Sequence, residues 1–122
     1  MVLLYRLFGF LYLSSGLWCV FKLELVAGFL GFEFSTDMGK SEFFSVYGGL
    51  QIGIGIAMLL SSFKTVYLEG GVYFSAIFSS VLALFRVFSF FVFGFIEGFI
   101  FMLVLEVFMA VSLWGIWLKL KK

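Results

Sequence analysis

Histidine and proline are absent from this 122-residue sequence, and cysteine occurs once, as Cys19. Without histidine the chain lacks the commonest general base and the usual ligand for haem, copper and zinc. A single cysteine allows neither an intrachain disulfide nor a CxxC metal or redox pair. Without proline, nothing forces a kink or a broken helix of the transporter type. Charge is scarce as well. Charged residues make up 12% of the chain and the net charge is +1, which leaves no electrostatic basis for binding nucleic acid or an acidic partner. No nucleophile–base pair stands out. The chain is therefore expected to carry no cofactor, no metal and no catalytic residue, and not to be an enzyme.

What is present is apolar. Hydrophobic residues make up 64% of the sequence and the mean hydropathy is +1.22. Soluble domains lie nearer about 45–50% apolar and about 25% charged. A soluble domain of this length buries only about two-thirds of the surface its unfolded chain exposes, too little to hide so much apolar area. Lipid is the expected solvent, and the length suits one domain spanning residues 1–122. The opening run MVLLYRLFGFLYLSSGLW holds Arg6 inside its apolar stretch and has no A-x-A site after it, so it reads as a retained first helix and not as a cleaved signal.

A bilayer core of about 30 Å needs about 20 apolar residues per helix. Four segments meet that need, at about Val2–Phe21, Phe43–Ser62, Gly71–Phe91 and Phe95–Leu118. The expected fold class is an all-α integral membrane protein, an antiparallel bundle of four transmembrane helices. The long connection, Lys22–Glu42, holds four of the seven acids, and its middle, residues 25–34, is apolar enough either to extend the first helix or to lie along the membrane surface. The remaining connections are short, which makes helices two, three and four antiparallel neighbours. Four spans put both termini on one side, together with Arg6, Lys64, Lys119, Lys121 and Lys122, against Lys22 and Lys40 on the other. The positive-inside rule then places the termini in the cytoplasm, with Trp114 and Trp117 at the same interface.

Two stripes of small side chains recur at every fourth residue. On helix two the stripe is Ser45, Gly49, Gly53, Ala57 and Ser61; on helix three it is Gly71, Ser75, Ser79 and Ala83. Small residues let helix backbones approach closely in lipid, where no hydrophobic effect drives them together. Packing between helices two and three is the expected use, with a pore lining as the alternative.

Arg86 is the sharpest single residue. An arginine within a membrane helix costs about 3 kcal/mol on insertion scales, so it needs a partner. With the turn between helices three and four centred near residue 96, Arg86 and Glu106 each lie about 15 Å from it, at matching depth. Glu97 lies nearer the surface and offers a second acceptor by snorkelling. Helix two adds Glu42, Tyr47 and Gln51 on roughly one face. The expected intramembrane polar cluster is therefore Arg86, Glu106, Gln51 and Tyr47, with Glu97 and Glu42 at its edge. It serves either as a satisfied pair that fixes helix register or as a site for a polar or anionic solute, a proton or an ion. The 20 phenylalanines are expected to face lipid or a partner helix.

The block Tyr47-Gly-Gly-Leu-Gln-Ile-Gly-Ile-Gly-Ile56, preceded by Glu42 and followed by Arg86 and Glu106 on later helices, resembles a bacterial family of small four-helix membrane proteins of unknown function in the DoxX-like group. The resemblance implies a fold and a location in the bacterial inner membrane, and supplies no substrate or reaction. The expected function is that of a non-enzymatic accessory or scaffold subunit. Its partners are the lipid bilayer and either copies of itself or a membrane complex, and nucleic acid is not among them. The alternative is a small transporter or channel that uses the Arg86/Glu106 cluster.

Overall fold

A computed structural model describes residues 1–122. The chain is helical and has no strand. Four of its helices are long and apolar enough to cross a membrane: α1 (Val2–Phe21), α3 (Asp37–Ser61), α4 (Thr65–Phe93) and α5 (Glu97–Lys121). A short helix, α2 (Leu23–Phe29), follows α1. Two compact units form, one from residues 6–60 and the other from residues 1–5 and 61–122.

In the first unit glycines stand where the backbones of two helices meet. A Cβ on Gly16 would lie 2.8 Å from the Gly48 carbonyl oxygen, and one on Gly55 would lie 2.7 Å from the Gly9 carbonyl oxygen and 2.6 Å from the Leu13 nitrogen. Gly9 and Gly16 lie two helical turns apart on α1, as Gly48 and Gly55 do on α3, so each helix carries its close contacts on one face. As numbers rise on α1 they fall on α3, and the two helices run antiparallel.

The segment between them is built by its own turn chemistry. Lys22 leaves helical geometry (φ −125°, ψ 50°) and separates α1 from α2. The end of α2 is a Schellman turn: the Phe32 N–H donates to the Ala27 carbonyl at 2.8 Å and the Gly31 N–H to the Gly28 carbonyl at 3.1 Å. Gly31 takes φ +84°, a conformation costly for any residue with a Cβ. Residues 25–34 are thus not a plain extension of α1; they hold most of α2 and the turn that reverses the chain. Helix α3 then starts at Asp37, well before the expected Phe43, because Thr36 Oγ1 accepts from the Gly39 N–H at 3.3 Å and Asp37 stands in the first turn. Cys19, Val26, Ala27 and Phe43 form the buried core of this end, with Leu23, Leu30, Phe34 and Tyr47 packed around them.

Within α3, residues Phe44–Leu50 form a π-helix. A π turn needs more residues than an α turn to come round to the same face. The buried positions of α3 accordingly run Phe43, Gly48, Gly55, Met58, opening with a step of five. The every-fourth stripe does not follow that face. Ser45, Gly49, Gly53 and Ala57 are all exposed, and a Cβ on Gly53 would meet nothing within 4 Å. Four of the stripe's five members therefore lie outside the contact that α3 makes with α1.

In the second unit α4 and α5 form an antiparallel hairpin. Tyr73 lies 5.1 Å from Trp117 between ring centres, Trp114 donates to Ser80 at 2.7 Å, and Arg86 meets Glu106. Gly94 at φ +90° ends α4, and a 3₁₀ turn at Glu97–Phe99 opens α5. Helix α4 begins at Thr65 where Gly71 was expected, after Lys64 in extended geometry.

Candidate functional site

The polar interior of the second unit is set by the hairpin. The turn between α4 and α5 is short, so residues equally far from it along the two helices come level. Arg86 donates from Nε at 3.1 Å and from Nη2 at 2.7 Å, and both bonds end on Oε1 of Glu106. The two side chains are 19% and 10% exposed. The Phe99 ring lies 4.8 Å from the guanidinium carbon and adds a cation–π contact from the turn side. Ser89 Oγ, one turn further on, donates to the Arg86 carbonyl at 2.7 Å and occupies that backbone acceptor.

The pair is neutral as a whole and incomplete in detail. Glu106 Oε2 is buried and has no hydrogen-bond partner, because both guanidinium bonds go to the other oxygen. Ser79 Oγ, two turns before Arg86 on α4, is also buried and unpartnered. A buried acceptor without a donor carries a desolvation cost of about 1–3 kcal/mol. These two atoms are accordingly where the unit has unused capacity for a hydrogen-bond donor.

Other polar groups are satisfied. The Trp114 indole N–H donates to Ser80 Oγ at 2.7 Å, and Ser80 Oγ donates onward to the Ala76 carbonyl at 2.7 Å. The Tyr5 hydroxyl lies 3.1 Å from Ser61 Oγ and 3.5 Å from Ser75 Oγ. Gly71 leaves room for that hydroxyl, since a Cβ there would lie 2.8 Å from it. The stripe on α4 thus has a buried use: Ser75, Ser79 and Ala83 lie inside, and Gly71 and Ser75 border Tyr5.

Of the six candidate cluster residues, Arg86 and Glu106 are bonded to each other. Glu97 is exposed on the 3₁₀ turn and takes no bond from Arg86, whose donors go to Glu106. Tyr47 belongs to the first unit, where its ring stacks on Phe43 at 4.7 Å and meets Phe32 edge-on at 5.4 Å. Gln51 is half-buried and Glu42 exposed, both on α3 of that unit. The Tyr5–Ser61–Ser75 contact and the Trp114–Ser80 bond were not anticipated from sequence. Counting outward from the turn, as for Arg86 and Glu106, brings Ser80 and Trp114 close to level; the Tyr5 contact leaves no such trace.

The first unit holds a cleft of about 310 Å³ between the end of α2 and the start of α3, lined by Glu24, Ala27, Phe32, Glu33, Phe34 and Lys40. Lys40 Nζ pairs with Glu24 Oε1 at 3.1 Å across it. No three His, Cys, Asp or Glu side chains converge as a metal site. No known protein family, curated protein or solved structure gives a significant match to the chain.

Proposed function

We propose that the chain is an integral membrane protein of four antiparallel spans whose role is association: a non-enzymatic scaffold or accessory subunit that packs against copies of itself in the bilayer. The observation that carries this reading is the uncovered stripe on α3. Ser45, Gly49, Gly53 and Ala57 make a smooth, exposed helix face that nothing in the first unit fills, whereas Gly9, Gly16, Gly48 and Gly55 are consumed by contacts inside that unit. In lipid, such a face favours another helix because backbones approach closely along it. Helix lengths and hydropathy support insertion. The basic residues near the termini support a cytoplasmic location for both ends, and the glycine block with Arg86 and Glu106 supports kinship with DoxX-like proteins of the bacterial inner membrane.

Mass measurement of the gently solubilised protein tests the association. Several copies per particle are expected, and Gly53→Leu should reduce them to one without loss of helicity. A wild-type protein that emerges as a single copy rejects the reading.

A second reading, a small transporter or channel, is favoured by one specific observation: the buried, unpartnered Glu106 Oε2 and Ser79 Oγ. Polar groups with free capacity inside membrane helices mark solute, ion or proton pathways. Flux of protons or small polar solutes into liposomes, lost in Arg86→Ala, would establish it; liposomes no leakier than protein-free controls would eliminate it.

A further inference from the structure

We infer that the cleft between α2 and α3 binds the ethanolamine headgroup of a zwitterionic phospholipid. This inference rests on the membrane reading above, which puts the cleft at the polar boundary of two spans, since it opens where α1 and α2 end and α3 begins. Its walls carry both signs of charge on an apolar base. Glu24 and Glu33 supply carboxylates, Lys40 an ammonium, and Ala27, Phe32 and Phe34 the apolar lining, around a volume of about 310 Å³. That volume falls within the range of small-molecule sites.

The charges are not equivalent. Lys40 is engaged by Glu24 at 3.1 Å, whereas Glu33 has no partner within the chain. The net charge of the lining is therefore negative, and its unmatched group is a carboxylate. A primary ammonium answers it twice, as a cation and as a hydrogen-bond donor to the Glu33 oxygens. The phenyl rings beside it add cation–π attraction of about 0.5–1 kcal/mol. Lys40 Nζ keeps two donors beyond its bond to Glu24, enough to hold a phosphate oxygen placed one headgroup length away.

Other headgroups fit less well. A choline ammonium has no N–H to give Glu33 and retains only its charge attraction and the ring contact. A glycerol headgroup brings a phosphate and no cation to a cleft that is already net negative. The walls are also held in place before any ligand arrives. Phe32 is fixed by the Schellman turn and by edge-on contacts with Phe43 and Tyr47, both at 5.4 Å, and Phe34 meets Phe43 at 5.6 Å. A site pre-formed in this way avoids much of the ordering cost of binding.

The test is native mass spectrometry of the full chain released from nanodiscs containing equal parts of ethanolamine, choline and glycerol phospholipids with identical acyl chains, alongside flotation of the same chain with vesicles. Retention of the ethanolamine lipid above the other two is expected. Glu33→Gln should lower it about threefold, the scale of one exposed charge contact. Lys40→Gln should lower it similarly. Glu33 is exposed, so its replacement leaves the fold intact. A chain that floats with vesicles but retains the three lipids equally, or is unchanged by Glu33→Gln, overturns the headgroup site alone. A chain that does not float overturns the membrane reading and the site with it. Equally tight binding of soluble phosphoethanolamine in lipid-free micelles rejects the phospholipid as the source.

Discussion

Arg86 and Glu106 show how a costly residue becomes acceptable. Each would be prohibitive alone in an apolar interior, and together they form a neutral pair with two bonds to one oxygen. Arg86→Met should therefore destabilise the protein by about 3 kcal/mol, because it strands a buried carboxylate. The double variant Arg86→Met/Glu106→Met should recover most of that loss. Unfolding in detergent reads both effects, and additive losses would show that the pair is not a unit. The Trp114–Ser80 bond is worth less: Ser80→Ala should cost about 1 kcal/mol by the same measurement. The Arg86–Glu106 pairing was legible in the sequence because one short turn ties α4 to α5 and a count of residues from it gives depth. Tyr47 and Gln51 lie in the other unit, where Tyr47 is held by an aromatic contact, its stack on Phe43, that has no periodic signature.

At the scale of the helix, the glycines divide by what lies against them. Gly55→Leu should disrupt the α1–α3 contact, since even a Cβ would lie 2.6 Å from the Leu13 nitrogen, and should cost at least about 1–3 kcal/mol. Gly53→Ala, only two residues away, meets open space and should leave stability unchanged or raise it by up to about 1 kcal/mol through helix propensity. Thermal unfolding of the two variants side by side checks the contrast, and equal losses would refute the division. The four long helices were legible from apolar length alone. Which face of α3 packs was not, because counting in fours assumes α geometry and residues Phe44–Leu50 are π-helical. The starts of helices were also misjudged, since Thr36 and Lys64 act through capping and backbone geometry that hydropathy does not register. The α2–α3 cleft lay beyond reach for a related reason: a Schellman turn and an N-cap fold it from residues that in sequence are merely an acidic, apolar connection.

For the whole molecule, the unequal lengths of the helices have a mechanical consequence. Helix α1 has 20 residues and α4 has 29, so at 1.5 Å per residue they measure about 30 Å and about 44 Å. The first matches a typical hydrocarbon core, and the second exceeds it by about 14 Å. A bilayer around such a chain faces its largest hydrophobic mismatch at α4. It can respond by tilting α4 or by thickening locally, at a fraction of a kcal/mol per ångström. Thermal stability should then rise as acyl chains lengthen from thin to thick defined bilayers, and truncating α4 by one turn at Thr65–Leu68 should move the optimum toward thinner ones. Stability indifferent to thickness would show that α4 extends out of the core unburdened. If the dependence holds, the long helix makes the protein a gauge of membrane thickness, drawn toward whichever patch of bilayer fits its longest span.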